Sequence, residues 1–283
     1  MTAEVAQPNA RSQDSIGVFD SGVGGLSVLR ALRSELPAER FVYVADAGHA
    51  PYGERDEAHV MNRSMAVTEY MVAKHGIKAL VVACNTATAA AIRSLRQAWP
   101  DLPIIGIEPA LKPAVAHSHT RRIGVLATRG TLGSEKFRAL LHTLEPQAHF
   151  VLQACDGLAD AIERDDAHKT RTLCAEFIQA MGPFGSTSST IDTLVLGCTH
   201  YPFATDALRS LVGPTVAFLE GGVPVARQTR RLLAERAWLA DAAATRDTAT
   251  ALSFFTTGAL KALQAATMRW LNWQVDVQSL QHI

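Results

Sequence analysis

ALVVACNTATAAAI, residues 79–92, is the stretch that decides the fold. Residues 79–83 are apolar without interruption, the signal of a buried strand; Cys84, Asn85 and Thr86 break the run, and small helix-compatible residues follow. The reading is strand, turn, helix, with a cysteine at the hand-over. There the backbone N–H groups and the positive end of the helix dipole favour a thiolate. The device recurs in TLVLGCTHYPF, residues 193–203, with residues 194–196 as the strand, Cys198 at its tip and Pro202 as a first helical residue. Two matched thiols are the central observation.

Upstream, residues 16–19 form a short apolar strand that runs into Asp20-Ser21-Gly22-Val23-Gly24-Gly25 before a helix with Leu26, Leu29 and Leu32 at helical spacing. Gly22-x-Gly24-x-x-Ser27 is one residue short of a dinucleotide fingerprint, and Asp46, after a strand at residues 41–45, stands where a ribose-binding acid would lie. Asp20 argues against a nucleotide, because it sets a negative charge where a pyrophosphate must approach. One carboxylate, one hydroxyl and several N–H groups suit a small zwitterion better. Small-ligand binding therefore ranks first, a turn needing glycine for backbone reasons second, and a nucleotide third. A loop at residues 47–55 places Tyr52 between Pro51 and Gly53, where taken alone it reads as a packing tyrosine; a helix over residues 56–75 returns the chain to the Cys84 strand. Strands alternating with helices imply a parallel sheet whose ligands sit at the carboxyl ends, which brings Asp20, Tyr52 and Cys84 to one rim.

The pattern then restarts. RIGVLATRG, residues 122–130, echoes SIGVFDSG, residues 15–22, and Cys198 follows Ile123 at nearly the interval at which Cys84 follows Ile16. An internal repeat implies two similar α/β domains, each a parallel sheet flanked by helices, with a ligand site in the cleft between them. Ala127 and Thr128 replace Asp20 and Ser21, so the acid near the second thiol must come from elsewhere. His200, two residues past Cys198, reads as functional; for Glu163, among charges that usually mark a solvated face, functional and structural readings stand level. Cys155 and Cys174 read as buried small hydrophobes. The glycine- and serine-rich residues 182–190 form a loop. The expected organisation is a disordered polar leader at residues 1–14, a discontinuous first domain at residues 15–110 and 217–283, and a second domain at residues 111–216.

Composition narrows the function. With 283 residues, 48% of them hydrophobic, the chain can bury one large core or two ordinary ones. Its 27 basic and 27 acidic side chains cancel, leaving no basic stripe for nucleic acid. No apolar run reaches membrane-spanning length and no signal-peptide h-region opens the chain, so the expected location is the cytoplasm, without nucleic-acid or membrane partners. Four cysteines without C-x-x-C spacing read as reduced thiols rather than a disulfide framework.

Two opposed thiols suit inversion of a carbon centre, which needs a base on one face and an acid on the other, with the roles exchanged in reverse. The carbon acid of an amino acid is very weak, so a preorganised site must neutralise substrate charge and exclude water. No lysine sits in a recognisable phosphate-binding context, and Cys198-x-His200 offers too few ligands for zinc; the expected site uses no cofactor and no metal.

Four motifs in order, IGVFDSGVGGLSVLRAL (residues 16–32), APYGER (50–55), VVACNTAT (81–88) and LVLGCTHYPF (194–203), make the chain similar to bacterial glutamate racemases of the cofactor-independent aspartate/glutamate racemase superfamily. The resemblance implies interconversion of L- and D-glutamate, supplying D-glutamate for peptidoglycan, by two bases in a cleft between two α/β domains. It implies Cys84 and Cys198 as the bases, Asp20 assisting Cys84, and His200, with Glu163, assisting Cys198. It implies that Asp20, Ser21, Tyr52, Gly53, Asn85, Thr86, Thr199 and His200 hold the substrate. The family often dimerises, so a homodimer is expected. Two motifs depart from the family pattern: Asp156 replaces a proline after Ala154-Cys155, and Glu220-Gly221-Gly222 replaces an aspartate-containing turn. Aspartate or hydantoin racemases share the paired thiols, a binding module would need only the glycine turn, and a thiol redox protein would need only the cysteines.

Overall fold

The computed structural model describes residues 10–241, 251–281 and 283. Among these described residues ten strands form two parallel sheets: β1 Ile16–Asp20, β2 Phe41–Ala45, β3 Ala79–Val82, β4 Ile104–Gly106, β5 Arg122–Ala127, β6 His149–Ala154, β7 Thr193–Leu196, β8 Ala217–Leu219, β9 Leu252–Thr256 and β10 Val277–Ser279. The first sheet runs β10-β9-β2-β1-β3-β4 and the second β6-β5-β7-β8. The order β2-β1-β3-β4 thus repeats as β6-β5-β7-β8, which is the repeat read from the sequence. Both sheets are all-parallel, so helices must cover both faces and the strands read as apolar runs rather than alternations. In β3 every residue is buried: Ala79 and Val81 face the cluster around Leu29 and Phe254, while Leu80 and Val82 face the cluster around Met71 and Leu95.

Three helices position the first half of the rim. Helix α1, Leu26–Glu35, follows the glycine turn; α2, Glu57–His75, starts at an Asp56 side-chain cap and ends at Gly76 in the left-handed conformation; α3, Asn85–Ala98, starts directly at Cys84. A left-handed residue closing a helix is what glycine supplies without a Cβ penalty. Among the described residues no helix is long and apolar enough to cross a membrane.

Two expectations are corrected. The leader does not extend to residue 14: Ala10–Gln13 form a 3-10 turn, the Ser12 carbonyl accepts from the buried Lys78 ammonium at 2.8 Å, and the Arg11 guanidinium lies 5.1 Å from the centre of the Trp238 ring. Residues 1–9 lie outside the described residues. Strand β8 was expected in the first domain, but it pairs with β7, Thr193 opposite Ala217. The helix Thr205–Val212 carries the chain from β7 and returns it beside the same strand, as α3 returns β4 beside β3. From β9 onward the chain extends the first sheet, β9 against β2 and β10 against β9.

Candidate active site

A cavity of about 300 Å³ opens where the carboxyl ends of both sheets meet. Ser21, Tyr52, Gly53, Cys84, Asn85, Thr86, Glu163, Cys198, Thr199 and His200 line it. Asp20 does not: it is fully buried behind the wall and reaches the cavity only through neighbours.

On the first flank, Cys84 is the N-cap of α3, and its sulfur accepts from the Ala87 N–H at 3.4 Å, with the Ser21 hydroxyl 3.9 Å away. Burial and then the nearby Asp20 carboxylate push this thiol well above its usual range. Asp20, the last residue of β1, accepts from the Ser21 N–H at 2.5 Å and from the Thr199 hydroxyl at 2.8 Å. Burial raises its carboxyl too, against the opposing effects of His200 and Thr199. This flank favours neutral groups.

The second flank is a chain of three polar side chains. His200 Nδ1 lies 3.7 Å from the Cys198 sulfur, and its Nε2 lies 2.8 Å from Glu163 Oε2. Burial alone would lower the His200 pKa, but the hydrogen bonds and charges of Cys198 and Glu163 outweigh it, and the imidazolium is favoured well above the ordinary range. Glu163, at the end of the short helix Leu158–Glu163, also accepts from the Val23 N–H of the glycine turn at 2.9 Å. That geometry sets Glu163 on the cavity wall, bonded to His200 and to the glycine turn, rather than on a solvated face.

The glycine turn now has a reason that differs from ligand cradling. A Cβ on Gly22 would stand 2.3 Å from Glu163 Oε2, and one on Gly24 would stand 2.4 Å from His200 Nδ1 and 2.6 Å from Thr199 Oγ1. The turn is thin so that the second flank can press against the first. Two more contacts cross the seam: Thr86 Oγ1 to Thr128 Oγ1 at 3.0 Å, and the Gly157 N–H to Glu54 Oε1 at 3.2 Å.

Sequence reasoning missed several residues here. Thr128 was legible in principle, since the repeat sets it opposite Ser21. Cys155 is buried, as its reading as a small hydrophobe requires, but it also follows β6 directly and lines the cavity; it is a third strand-tip thiol, and burial raises its pKa. Asp156, in the place of the expected proline, pairs with Arg129 at the rim. Asp46, read as a candidate ribose-binding acid, instead pairs behind Tyr52 with Arg63, which carries no motif of its own.

Residues 16–229 match the family model described as Asp/Glu/hydantoin racemase. A glutamate racemase of Ectopseudomonas mendocina is 45% identical over 94% of this chain and 98% of that protein, and one of Ralstonia nicotianae is 49% identical over 79% of each. Among solved structures, a glutamate racemase isoform from Bacillus anthracis superposes with a TM-score of 0.81 at 32% identity, covering 95% of this chain and 98% of the other. The Escherichia coli glutamate racemase, solved with L-glutamate and the activator UDP-MurNAc-ala, gives 0.80 at 27% identity, covering 94% and 97%.

Proposed function

The chain belongs to the Asp/Glu/hydantoin racemase family, and from that premise we propose that it interconverts L- and D-glutamate by a two-thiol mechanism without a cofactor. The observation that carries the proposal is the convergence of Cys84 and Cys198, one from each sheet, on a single cavity. In one direction the Cys198 thiolate takes the α-proton, forming S–H as C–H breaks, and the electron pair spreads from the α-carbon into the substrate carboxylate. The Cys84 thiol then gives its proton to the opposite face and is left as thiolate. In the other direction Cys84 is the base and Cys198 the acid, so each turnover reverses the protonation of the pair.

The flanks support this division of labour. A protonated His200 is the counter-charge for a thiolate at Cys198, and Glu163 holds that imidazole through its far nitrogen. At Cys84 the helix N-terminus and Ser21 offset part of the cost of charging a buried sulfur. Asp20, out of contact with the cavity, acts on Cys84 by its charge and on Thr199 by a hydrogen bond. Ser21, Asn85, Thr86, Thr199 and the backbone at Tyr52 and Gly53 are among the polar groups available to the ammonium and carboxylates. Fixing them before the reaction lowers the barrier, because no solvent need reorganise as charge develops.

The cellular reading follows the chemistry: D-glutamate for peptidoglycan, made in the cytoplasm, by an enzyme expected to be a homodimer. The decisive experiment incubates the purified, metal-chelated protein with L-glutamate in D2O, following optical rotation and α-deuterium, with Cys84→Ser and Cys198→Ser alongside. Racemisation with deuterium in the product, lost or made strongly one-sided in each variant, is the expected result. No exchange with glutamate or aspartate in the wild type would end the proposal, and faster turnover of aspartate would reassign the substrate.

A further inference from the structure

Tyr52 is 1% exposed and lines the cavity, but its hydroxyl points away from it, donating to Asp46 Oδ2 at 2.5 Å. Asp46 directly follows β2, and its own N–H donates to the Asp20 carbonyl at 2.9 Å. Its carboxylate has no exposed surface and is saturated. Arg63 donates through Nε to Oδ2 at 3.0 Å and through Nη2 to Oδ1 at 2.9 Å, the Thr257 hydroxyl donates to Oδ1 at 2.8 Å, and His49 Nδ1 lies 3.1 Å from Oδ1. The remaining Arg63 nitrogen donates to the Ile283 carbonyl at 2.6 Å.

A buried ion pair is a costly way to gain stability, since two desolvated charges seldom outdo apolar residues of the same volume. What a bidentate arginine–carboxylate pair supplies is geometry. Here that geometry is delivered to two wall segments at once. Through Tyr52 it reaches residues 50–54, where Gly53 packs on Thr128 and Glu54 accepts from Gly157 across the seam. Through Thr257, which also accepts from the Gly48 N–H at 3.0 Å, it reaches Gly258 and Ala259, both on the cavity wall. The matching position after β6 is Cys155, so the second half has no such anchor.

We infer that Asp46 and Arg63 are positioning residues that set substrate affinity by holding the Tyr52 hydroxyl and, through it, the cavity wall. The inference rests on the racemase reading proposed above. The test takes Tyr52→Phe, Asp46→Asn, Arg63→Lys and the Asp46→Asn/Tyr52→Phe double variant beside the wild type. Steady-state rates are measured in both directions on whichever of glutamate and aspartate the wild type racemises, and amide hydrogen exchange over residues 47–55 is measured without substrate.

Each single variant raises KM about tenfold, the size of one hydrogen bond to a charged group, with kcat within about threefold of wild type. The double variant is no worse than the worse single one, because both changes cut the same link. Exchange over residues 47–55 accelerates in every variant. Additive effects in the double variant, a fall in kcat at unchanged KM, or lowered melting temperatures with KM and loop exchange unmoved would each overturn the inference. Should Asp46→Asn not fold, Tyr52→Phe and Arg63→Lys carry the same comparison. A wild type that racemises neither amino acid sinks the functional reading, while unchanged loop exchange in the variants sinks the anchor itself; the two failures are separately visible.

Discussion

The two flanks of the cavity come from the same strand order, yet they solve the problem of a buried sulfur differently. Beside Cys84 stand a helix N-terminus, a hydroxyl and a carboxyl that burial itself pushes toward the neutral form. Beside Cys198 stands an imidazole whose charged form is favoured by Cys198 itself and by Glu163. Burial and Asp20 favour the neutral thiol at Cys84, while the second flank favours an imidazolium at His200. The duplicated fold therefore supplies the positions, whereas the residues at the strand tips supply the asymmetry: Asp20 and Ser21 in one half correspond to Ala127 and Thr128 in the other.

The comparison breaks most severely if either thiol is dispensable. Cys84→Ala and Cys198→Ala should each lower racemisation by about 10³-fold, the scale of a positioned acid or base, as read by polarimetry. A variant keeping more than a tenth of wild-type activity would show that one flank suffices.

Sharper, though smaller, is the contrast between Asp20→Asn and His200→Asn. The enantiomers have equal free energy, so kcat/KM must fall equally in both directions, by about 10²-fold for each variant. The asymmetry should appear instead in the primary deuterium isotope effect. Asp20→Asn enlarges it for the enantiomer whose proton Cys84 removes, and His200→Asn for the other. Identical isotope effects in the two variants would contradict separate roles.

Glu163→Gln probes the charged flank by pH. A folded-state pKa raised above the ordinary value of about 6.5 gives a stabilisation that is complete below that pH and lost as pH rises through the folded value. In the wild type, thermal stability should fall on the alkaline side as His200 loses its proton. In Glu163→Gln the fall moves toward about pH 6.5, and neutral-pH stability drops by about 1–3 kcal/mol, the cost of a buried group losing its partner. A melting-temperature profile unchanged from wild type would mean that Glu163 does not govern the imidazole.

The mildest perturbation is Gly22→Ala, whose Cβ displaces the far end of Glu163, a flexible side chain that can swing aside. We expect roughly tenfold lower activity, comparable to losing one charged hydrogen bond, with little loss of melting temperature. Equal activity would show that Glu163 reaches His200 by another route.

Much of this architecture was legible in the sequence because its signals are local. Strand, tip and helix around Cys84 and Cys198 lie within single windows, and the echo between residues 15–22 and 122–130 marked the repeat. What stayed hidden depends on contacts between distant segments. The glycines announced a tight turn, but not that Glu163 and His200 fill the space where their side chains would be. Asp46 read as a candidate ribose ligand, since nothing near it in sequence names Arg63 or Thr257 as partners. Strand β8 was assigned to the wrong half because a three-residue strand carries no mark of which sheet it joins; only the crossover from β7 decides that.

The bond from Val23 to Glu163 also bears on how such a protein can be inherited or rebuilt. His200 and Glu163, the groups beside Cys198, are folded by the second half and registered by the backbone of the first. Recombining whole halves from two divergent parents would preserve both folds and both cysteines, and still leave these groups out of alignment. The interchangeable module is the junction, with residues 20–25, 157–163 and 198–200 travelling as one haplotype.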